Sequence, residues 1–170
     1  MATLIVSEFV SLNGIMEAPS GEKTHPHTGW TFASISGEDH YAYKMEELEE
    51  ARSLLLGRKT YEGFAAAWPE RDEPFADKFN TMPNYAVSST LTNPEWNNTT
   101  VLAGDPVEEV RQLKETAPGP ILLNGSAQLA HALTEADLVD EHRAMVHPIL
   151  VADGAADVPR SGGDEEATAE

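Results

Sequence analysis

The sequence predicts an α/β fold in which a mostly parallel central sheet is covered by helices on both faces. Three observations carry that expectation. Short apolar stretches alternate along the chain with amphipathic helical ones, the order produced by parallel strands and crossover helices. Leu54-Leu55-Leu56 and Ile121-Leu122-Leu123 are apolar without alternation, as strands buried on both sides are. No internal repeat offers a competing architecture.

Residues 4–10 favour a strand, and Ser11-Leu12-Asn13-Gly14 is a turn signal. Pro19, Gly21, Pro26 and Gly29 make residues 17–30 a loop. Ser36 with Asp39 resembles a capping box. The helix it opens sets Tyr41, Met45, Leu48 and Ala51 on one face, whereas Glu46, Glu47, Glu49 and Glu50 read as a solvated surface. Residues 53–56 form a short strand stopped by Gly57, and a helix follows over about residues 59–68, ended by Pro69. A loop then leads to strands at residues 84–88 and 99–102. Asp105 is a good N-cap, Pro106 suits the first helical position, and Glu108 sits where a capping-box acid belongs. Val107, Val110 and Leu113 give that helix its buried stripe. Gly119-Pro120 breaks it before the strand at residues 121–123. Asn124-Gly125-Ser126 then turns into a helix carrying Leu129, Ala130 and Leu133. Residues 140–151 form a last strand region, interrupted by Pro148. From Asp153 the composition collapses into Ala, Gly, Asp and Glu, too polar to bury a core. The expected organisation is one domain over residues 1–152 and a disordered acidic tail over residues 153–170.

A chain of 170 residues with a 41% hydrophobic fraction suits one soluble domain. Its 29 acids against 11 Lys and Arg give a net charge of −18. Such a charge repels nucleic acid and anionic membranes, so neither is an expected partner. The excess reads as adaptation to concentrated salt, where self-repulsion is screened. The absence of cysteine excludes disulfides, thiolate catalysis and iron–sulfur clusters. The apolar stretch at residues 4–12 carries Glu8 and lacks a basic flank, so it is neither a membrane span nor a signal peptide. A cytoplasmic protein is expected.

Two strand-to-helix turns carry the chemistry. In Leu56-Gly57-Arg58-Lys59-Thr60 the glycine allows a sharp turn and close approach to a ligand. The following helix end presents unpaired N–H groups, and Arg58 and Lys59 add charge where a phosphate would sit. A plain turn with two solvated cations explains the same residues. Leu123-Asn124-Gly125-Ser126-Ala127 repeats the arrangement without a full glycine-rich dinucleotide fingerprint. Two such turns on one parallel sheet suit a dinucleotide better than a mononucleotide. His25-Pro26-His27 lacks a third ligand at convincing spacing, so no metal is expected and a metal-dependent hydrolase has little behind it. His147, before Pro148, reads as a packed strand residue. Trp30, Trp68 and Trp96 read as core or loop anchors, with Trp30 also placed to line a pocket. Glu62 reads as a helix-surface acid.

Across residues 3–154 these motifs resemble, in order, the dihydrofolate reductase-like family that includes the reductase domain of riboflavin biosynthesis and its uncharacterised relatives. The residues are Ser7-Glu8-Phe9-Val10-Ser11-Leu12-Asn13-Gly14, Gly57-Arg58-Lys59-Thr60-Tyr61-Glu62-Gly63-Phe64, Met82-Pro83-Asn84-Tyr85, Val87-Ser88-Ser89-Thr90-Leu91, Gly125-Ser126-Ala127-Gln128-Leu129, Asp140-Glu141-His142-Arg143 and His147-Pro148. The resemblance implies NADPH as hydride donor, a small heterocyclic substrate (pterin- or pyrimidine-like) and a homodimer. It implies that Gly57, Arg58, Lys59 and Thr60 hold the cofactor's phosphates, with Ser88 and Ser89 near its adenosine end. Gly125, Ser126 and Ala127 would face the pyrophosphate, and Ser11, Asn13 and Gly14 the nicotinamide. No general acid is identified; Asn13, Glu17 and Trp30 are pocket-lining candidates. Riboflavin-pathway reductases usually carry Asp at Asn13 and Glu at Asn124, and they continue past His147-Pro148 with a further strand pair, here missing or altered. Those departures keep open a non-catalytic nucleotide-binding or assembly protein derived from the family.

Overall fold

The computed structural model describes residues 1–20, 22, 25–33 and 37–152. The strands are β1 (Leu4–Ser11), β2 (Ser53–Gly57), β3 (Asn84–Val87), β4 (Thr99–Leu102), β5 (Ile121–Asn124) and β6 (Glu141–His147). The helices are α1 (Glu38–Glu50), α2 (Arg58–Ala67), α3 (Pro74–Thr81), α4 (Pro106–Thr116) and α5 (Ala127–Glu135), with a 3₁₀ turn at Trp30–Ala33. The sheet order is β4-β3-β2-β5-β1-β6, and every pairing is parallel. All six strands therefore end along one edge.

Helices cover both faces. On one side Leu4, Val6, Leu55 and Leu123 pack against Val110 and Leu113 of α4 and Leu129 and Leu133 of α5. On the other, Ile5, Leu54, Leu56 and Leu122 pack against Leu48 of α1, Tyr61 of α2 and Phe79 of α3. Leu54, Leu55 and Leu56 are all fully buried, which is why their stretch shows no alternation. Asp105 caps α4 by accepting from the Val107 and Glu108 N–H groups, both at 3.1 Å, with Pro106 at the first position.

Four local readings change. The stretch before β3, read as loop, contains α3, which starts at Pro74 and buries Ala76 and Phe79. Glu47, read as solvated, is 4% exposed and holds Ser7 and Lys44. The buried face of α1 accordingly runs through Glu47 and Leu48 towards Ala51, and Tyr41 is exposed. The last strand stops at His147, and among the described residues no strand follows it. The proposed cap at Ser36 and the acidic tail at residues 153–170 lie outside the described residues.

At the opposite edge, Asp140 ties three elements together. Its Oδ2 accepts from the Leu4 N–H at 2.7 Å and from Lys114 Nζ at 2.6 Å, and Lys114 is buried. Asp140→Asn keeps one acceptor but removes the charge that neutralises a buried ammonium. Because Asp140 itself is half exposed, the expected loss is about 1–2 kcal/mol in urea unfolding. A loss within a few tenths would mean that solvent already screens the pair.

Candidate nucleotide site

β2 and β5 are neighbours, and the helices that follow them leave to opposite faces of the sheet. Such a switch point opens a crevice at the carboxyl ends of the two strands, where ligands of α/β sheets bind. Gly57 and Gly125 stand on its two sides. The Gly57 N–H donates to Ser126 Oγ at 2.8 Å, and that hydroxyl donates to Thr60 Oγ1 at 2.8 Å. One serine thus bridges both turns. A Cβ on Gly57 would lie 3.2 Å from Ser126 Oγ, and one on Gly125 would lie 3.1 Å from Thr60 Cγ2. Gly125 and Ser126 have φ of +60° and +65°, two successive left-handed residues leading into α5. These two residues make the sharp turn that sets the N-terminus of α5 at the crevice. Neither α2 nor α5 has a side-chain cap at its N-terminus, so these helix ends keep donors to offer.

The cations flank this crevice. Arg58 forms an ion pair with Glu62 at 2.8 Å, with both side chains about half exposed. Glu62 is thus a helix-surface acid, as read. Lys59 is exposed and has no ion pair among the described residues. On β3, Ser88 is buried and accepts from the Thr90 and Leu91 N–H groups, so its hydroxyl shapes its own turn, while Ser89 is exposed.

Beyond β1, Gly14 has φ +84° with open space where a Cβ would be, and Ser11 Oγ accepts from the Ile15 N–H at 2.9 Å. A cavity of about 250 Å³ opens here, lined by Gly14, Ile15, Met16, Glu17, His25 and Ala127. It joins the β1 loop to the N-terminus of α5. Of the three pocket candidates, Glu17 lines it. Trp30 instead is buried, donates through Nε1 to the Glu17 carbonyl at 2.9 Å and packs edge-on against His147. Asn13 is engaged elsewhere. Its Nδ2 donates to the Val151 carbonyl at 2.7 Å and its Oδ1 accepts from the Val151 N–H at 3.0 Å. Only an amide can make both bonds; a carboxylate has no proton for the carbonyl. That gives a structural reason for asparagine where the resemblance leads one to expect aspartate.

Two groups of residues were missed from the sequence. Glu8 lies on β1 facing α5, 7% exposed, with Oε1 unpartnered among the described residues. Burial pushes its carboxyl up to about 8, against the opposing pull of Lys44 and of the Gly125 N–H. The other face of β1 carries Ser7, which donates to Glu47 at 2.9 Å and accepts from Lys44 Nζ at 2.5 Å. Lys44 also lies over the Phe9 ring. His40 and His147 complete this cluster, with ring centroids 5.5 Å apart. Burial, reinforced by Lys44, and for His147 also by His40, holds both imidazoles below their usual range. Among the described residues, no cluster of His and acids is arranged to hold a metal, and no helix is long and apolar enough to cross a membrane.

Comparison with known proteins agrees with this geometry. The sequence profile of the RibD C-terminal domain matches residues 2–169. The uncharacterized protein YyaP of Bacillus subtilis (strain 168) is 26% identical over 161 residues, covering 89% of this chain and 77% of that protein. A protein of Shewanella sp. PV-4 assigned to riboflavin biosynthesis superposes with a TM-score of 0.67 at 20% identity, covering 88% of this chain and 78% of its own. Dihydrofolate reductase from Enterococcus faecalis, complexed with NADP(H) and RAB-propyl, superposes with a TM-score of 0.58 at 16% identity, covering 89% and 74%. RibD of Acinetobacter baumannii gives 0.58 at 16% identity, covering 99% of this chain and 52% of that one. The fold is that of the dihydrofolate reductase-like proteins, and the chain belongs to the RibD C-terminal domain family.

Proposed function

We propose that the chain is an NADPH-dependent reductase of a small heterocyclic substrate, pterin- or pyrimidine-like. The observation that carries this reading is the crevice between β2 and β5, with a glycine on each side and two uncapped helix N-termini meeting there. The absence of a Cβ at Gly57 and Gly125 lets the two turns pack against each other through Ser126 and Thr60, so that both helix N-termini open on one crevice where a pyrophosphate would sit. Gly57, Arg58, Lys59 and Thr60 would take one phosphate group, and Gly125, Ser126 and Ala127 the pyrophosphate. Ser88 and Ser89 would border the adenosine end, and Ser11, Asn13 and Gly14 the nicotinamide end beside the cavity at Glu17. The bound cofactor would supply the hydride. The chain's own part is to orient it and to keep water from the reacting face. A cytoplasmic homodimer adapted to concentrated salt completes the proposal, the last from the −18 charge.

Fluorescence titration with NADPH and, in parallel, NADH, on folded protein in concentrated KCl, tests the reading. Saturable binding with preference for NADPH is expected; binding of neither overturns it. The Arg58–Glu62 pair is exposed and therefore weak, so Arg58 can exchange its partner for a phosphate. Arg58→Ala is expected to weaken NADPH about tenfold and NADH less than twofold. Equal losses for both would remove Arg58 from phosphate recognition. The engagement of Asn13 with Val151 favours one alternative, a non-catalytic nucleotide-binding protein, because it leaves no proton donor at that position. Tight NADPH binding without hydride transfer to any pterin or pyrimidine acceptor would select it.

A further inference from the structure

β1 and β5 run in register with Ser7 opposite Asn124, so the next residue on β1, Glu8, comes level with Gly125. Even-numbered side chains of β1 face α4 and α5, as Leu4 and Val6 do. Glu8 is thus a buried acid beneath the turn that opens α5. Its neighbourhood contains the Gly125 N–H, which pulls towards the ionised form, and one carboxyl oxygen has no partner among the described residues. A carboxylate there would place a full negative charge under the N–H groups that a ligand phosphate needs.

We propose that Glu8 makes the Gly125–Ala127 turn a proton-linked anion site: a phosphate or pyrophosphate group binds there more tightly with Glu8 protonated, and binding draws a proton onto it. The inference rests on the cofactor reading for its natural ligand but not for its chemistry, since any pyrophosphate should obey it. The surrounding charges do not compensate. β5 contributes only Asn124 and Gly125 at this level, and β6 places Ala144 opposite Glu8, with His142 level with Val6 and beside Thr134. On α5 the titratable groups are His131 and Glu135, exposed and paired with each other. α4 lies over the start of β1, where Lys114 is neutralised by Asp140. Lys44, across the sheet on α1, is held by Glu47. A proton on Glu8 is therefore the direct way to remove the repulsion. Without ligand the group titrates near pH 8, so the site favours the anion at neutral pH and loses affinity in mild alkali.

The test uses the full chain, with NADPH and inorganic pyrophosphate as separate probes, titrated between pH 7 and 9.5. The phosphates of NADPH have lost their last proton near pH 6 and are constant over that window, whereas inorganic pyrophosphate still titrates within it and is therefore read as the difference between wild type and Glu8→Gln. Wild-type affinity for NADPH, and the ratio of wild-type to Glu8→Gln affinity for pyrophosphate, are expected to fall about five- to tenfold across it, as an upward shift of one unit in the Glu8 pKa on binding requires. Calorimetry in two buffers should record proton uptake near pH 8. Glu8→Gln should bind NADPH with affinity constant across the window and without that proton, and should bind pyrophosphate with only the pH dependence of the ligand itself. Carboxyl ¹³C titration of wild-type Glu8, with and without pyrophosphate, gives the same answer should the variant misfold: the ligand must raise its midpoint. If pyrophosphate binds with a proton uptake that Glu8→Gln lacks and NADPH does not bind, the cofactor reading fails and the anion site stands. If NADPH binds with the same pH profile in wild type and Glu8→Gln, or the Glu8 midpoint does not move, the proton link is wrong and the cofactor reading stands. Binding of neither probe defeats both.

Discussion

Glu8→Gln is expected to change stability by about 1 kcal/mol or less at pH 5 and to raise it by about 5 kcal/mol at pH 9. The sign follows from the proton balance. In the unfolded chain the Glu8 carboxyl titrates at its ordinary 4.5, and burial in the folded protein pushes it up to about 8. Between those values the folded state holds a proton that the unfolded state has released. Raising the pH through that window therefore favours unfolding by about 1.4 kcal/mol per unit. Above pH 8 both states are ionised and the full penalty stands. Below 4.5 both are protonated and the penalty vanishes. Glutamine keeps the shape and cannot ionise, so the difference between the two proteins isolates this one group from the other 28 acids. Urea unfolding in concentrated KCl at pH 5, 7 and 9 provides the curve. Parallel pH profiles for the two proteins would show that Glu8 gains access to water or to a counter-charge when it ionises. A site that tolerates such a group is retaining a destabilising residue, a trade found where function needs an unusual proton affinity.

The sheet and its two glycine turns were legible because they depend on local chemistry. Three leucines followed by glycine and a helical stripe admit few readings, and Ile121-Leu122-Leu123 before Asn124-Gly125 repeats the signal. That the two turns touch was not legible. It depends on β5 inserting between β1 and β2, a pairing of residues far apart in the chain. The Ser126 bridge to Gly57 and Thr60 exists only because of that insertion. Glu47 was hidden in a run of glutamates whose solvated reading is sound for its neighbours; Ser7 and Lys44 draw it inward, and both belong to a tertiary contact. Glu8 counted only as a charge that rules out a membrane span; its burial follows from β1 being covered on both faces, which the sequence of one strand does not show. The signal for α3 was present. Pro74 after Glu73 opens a helix, and Phe75, Ala76 and Phe79 form a stripe, although the segment reads as loop in the sequence.

Gly125→Ala and Gly63→Ala, the same change at two glycines, are expected to have opposite effects. Gly63 lies inside α2 with nothing within 4 Å of its missing Cβ. Alanine there lowers the entropy of the unfolded chain and should stabilise by about 0.5–1 kcal/mol. Gly125 is left-handed, with φ +60°, a conformation that costs alanine about 1–2 kcal/mol. Its new methyl group would also meet Thr60 Cγ2 at 3.1 Å and Thr60 Oγ1 at 3.3 Å. Thr60 cannot move freely, because Ser126 Oγ donates to it while accepting from the Gly57 N–H. The strain therefore passes from the second turn to the first. A total loss of about 2–3 kcal/mol is expected, with NADPH binding weakened at least tenfold. Adding Thr60→Ser removes the nearer contact and keeps the hydroxyl, so the double variant should recover the steric part of the loss and leave the backbone part. Full recovery would mean that the left-handed conformation costs nothing at this turn. If Gly125→Ala instead keeps both stability and NADPH affinity, the crevice between β2 and β5 is not where the cofactor sits. The cavity at Glu17 and His25 would then have to accommodate it without the two turns, leaving Gly57, Thr60 and Ser126 with a purely structural role.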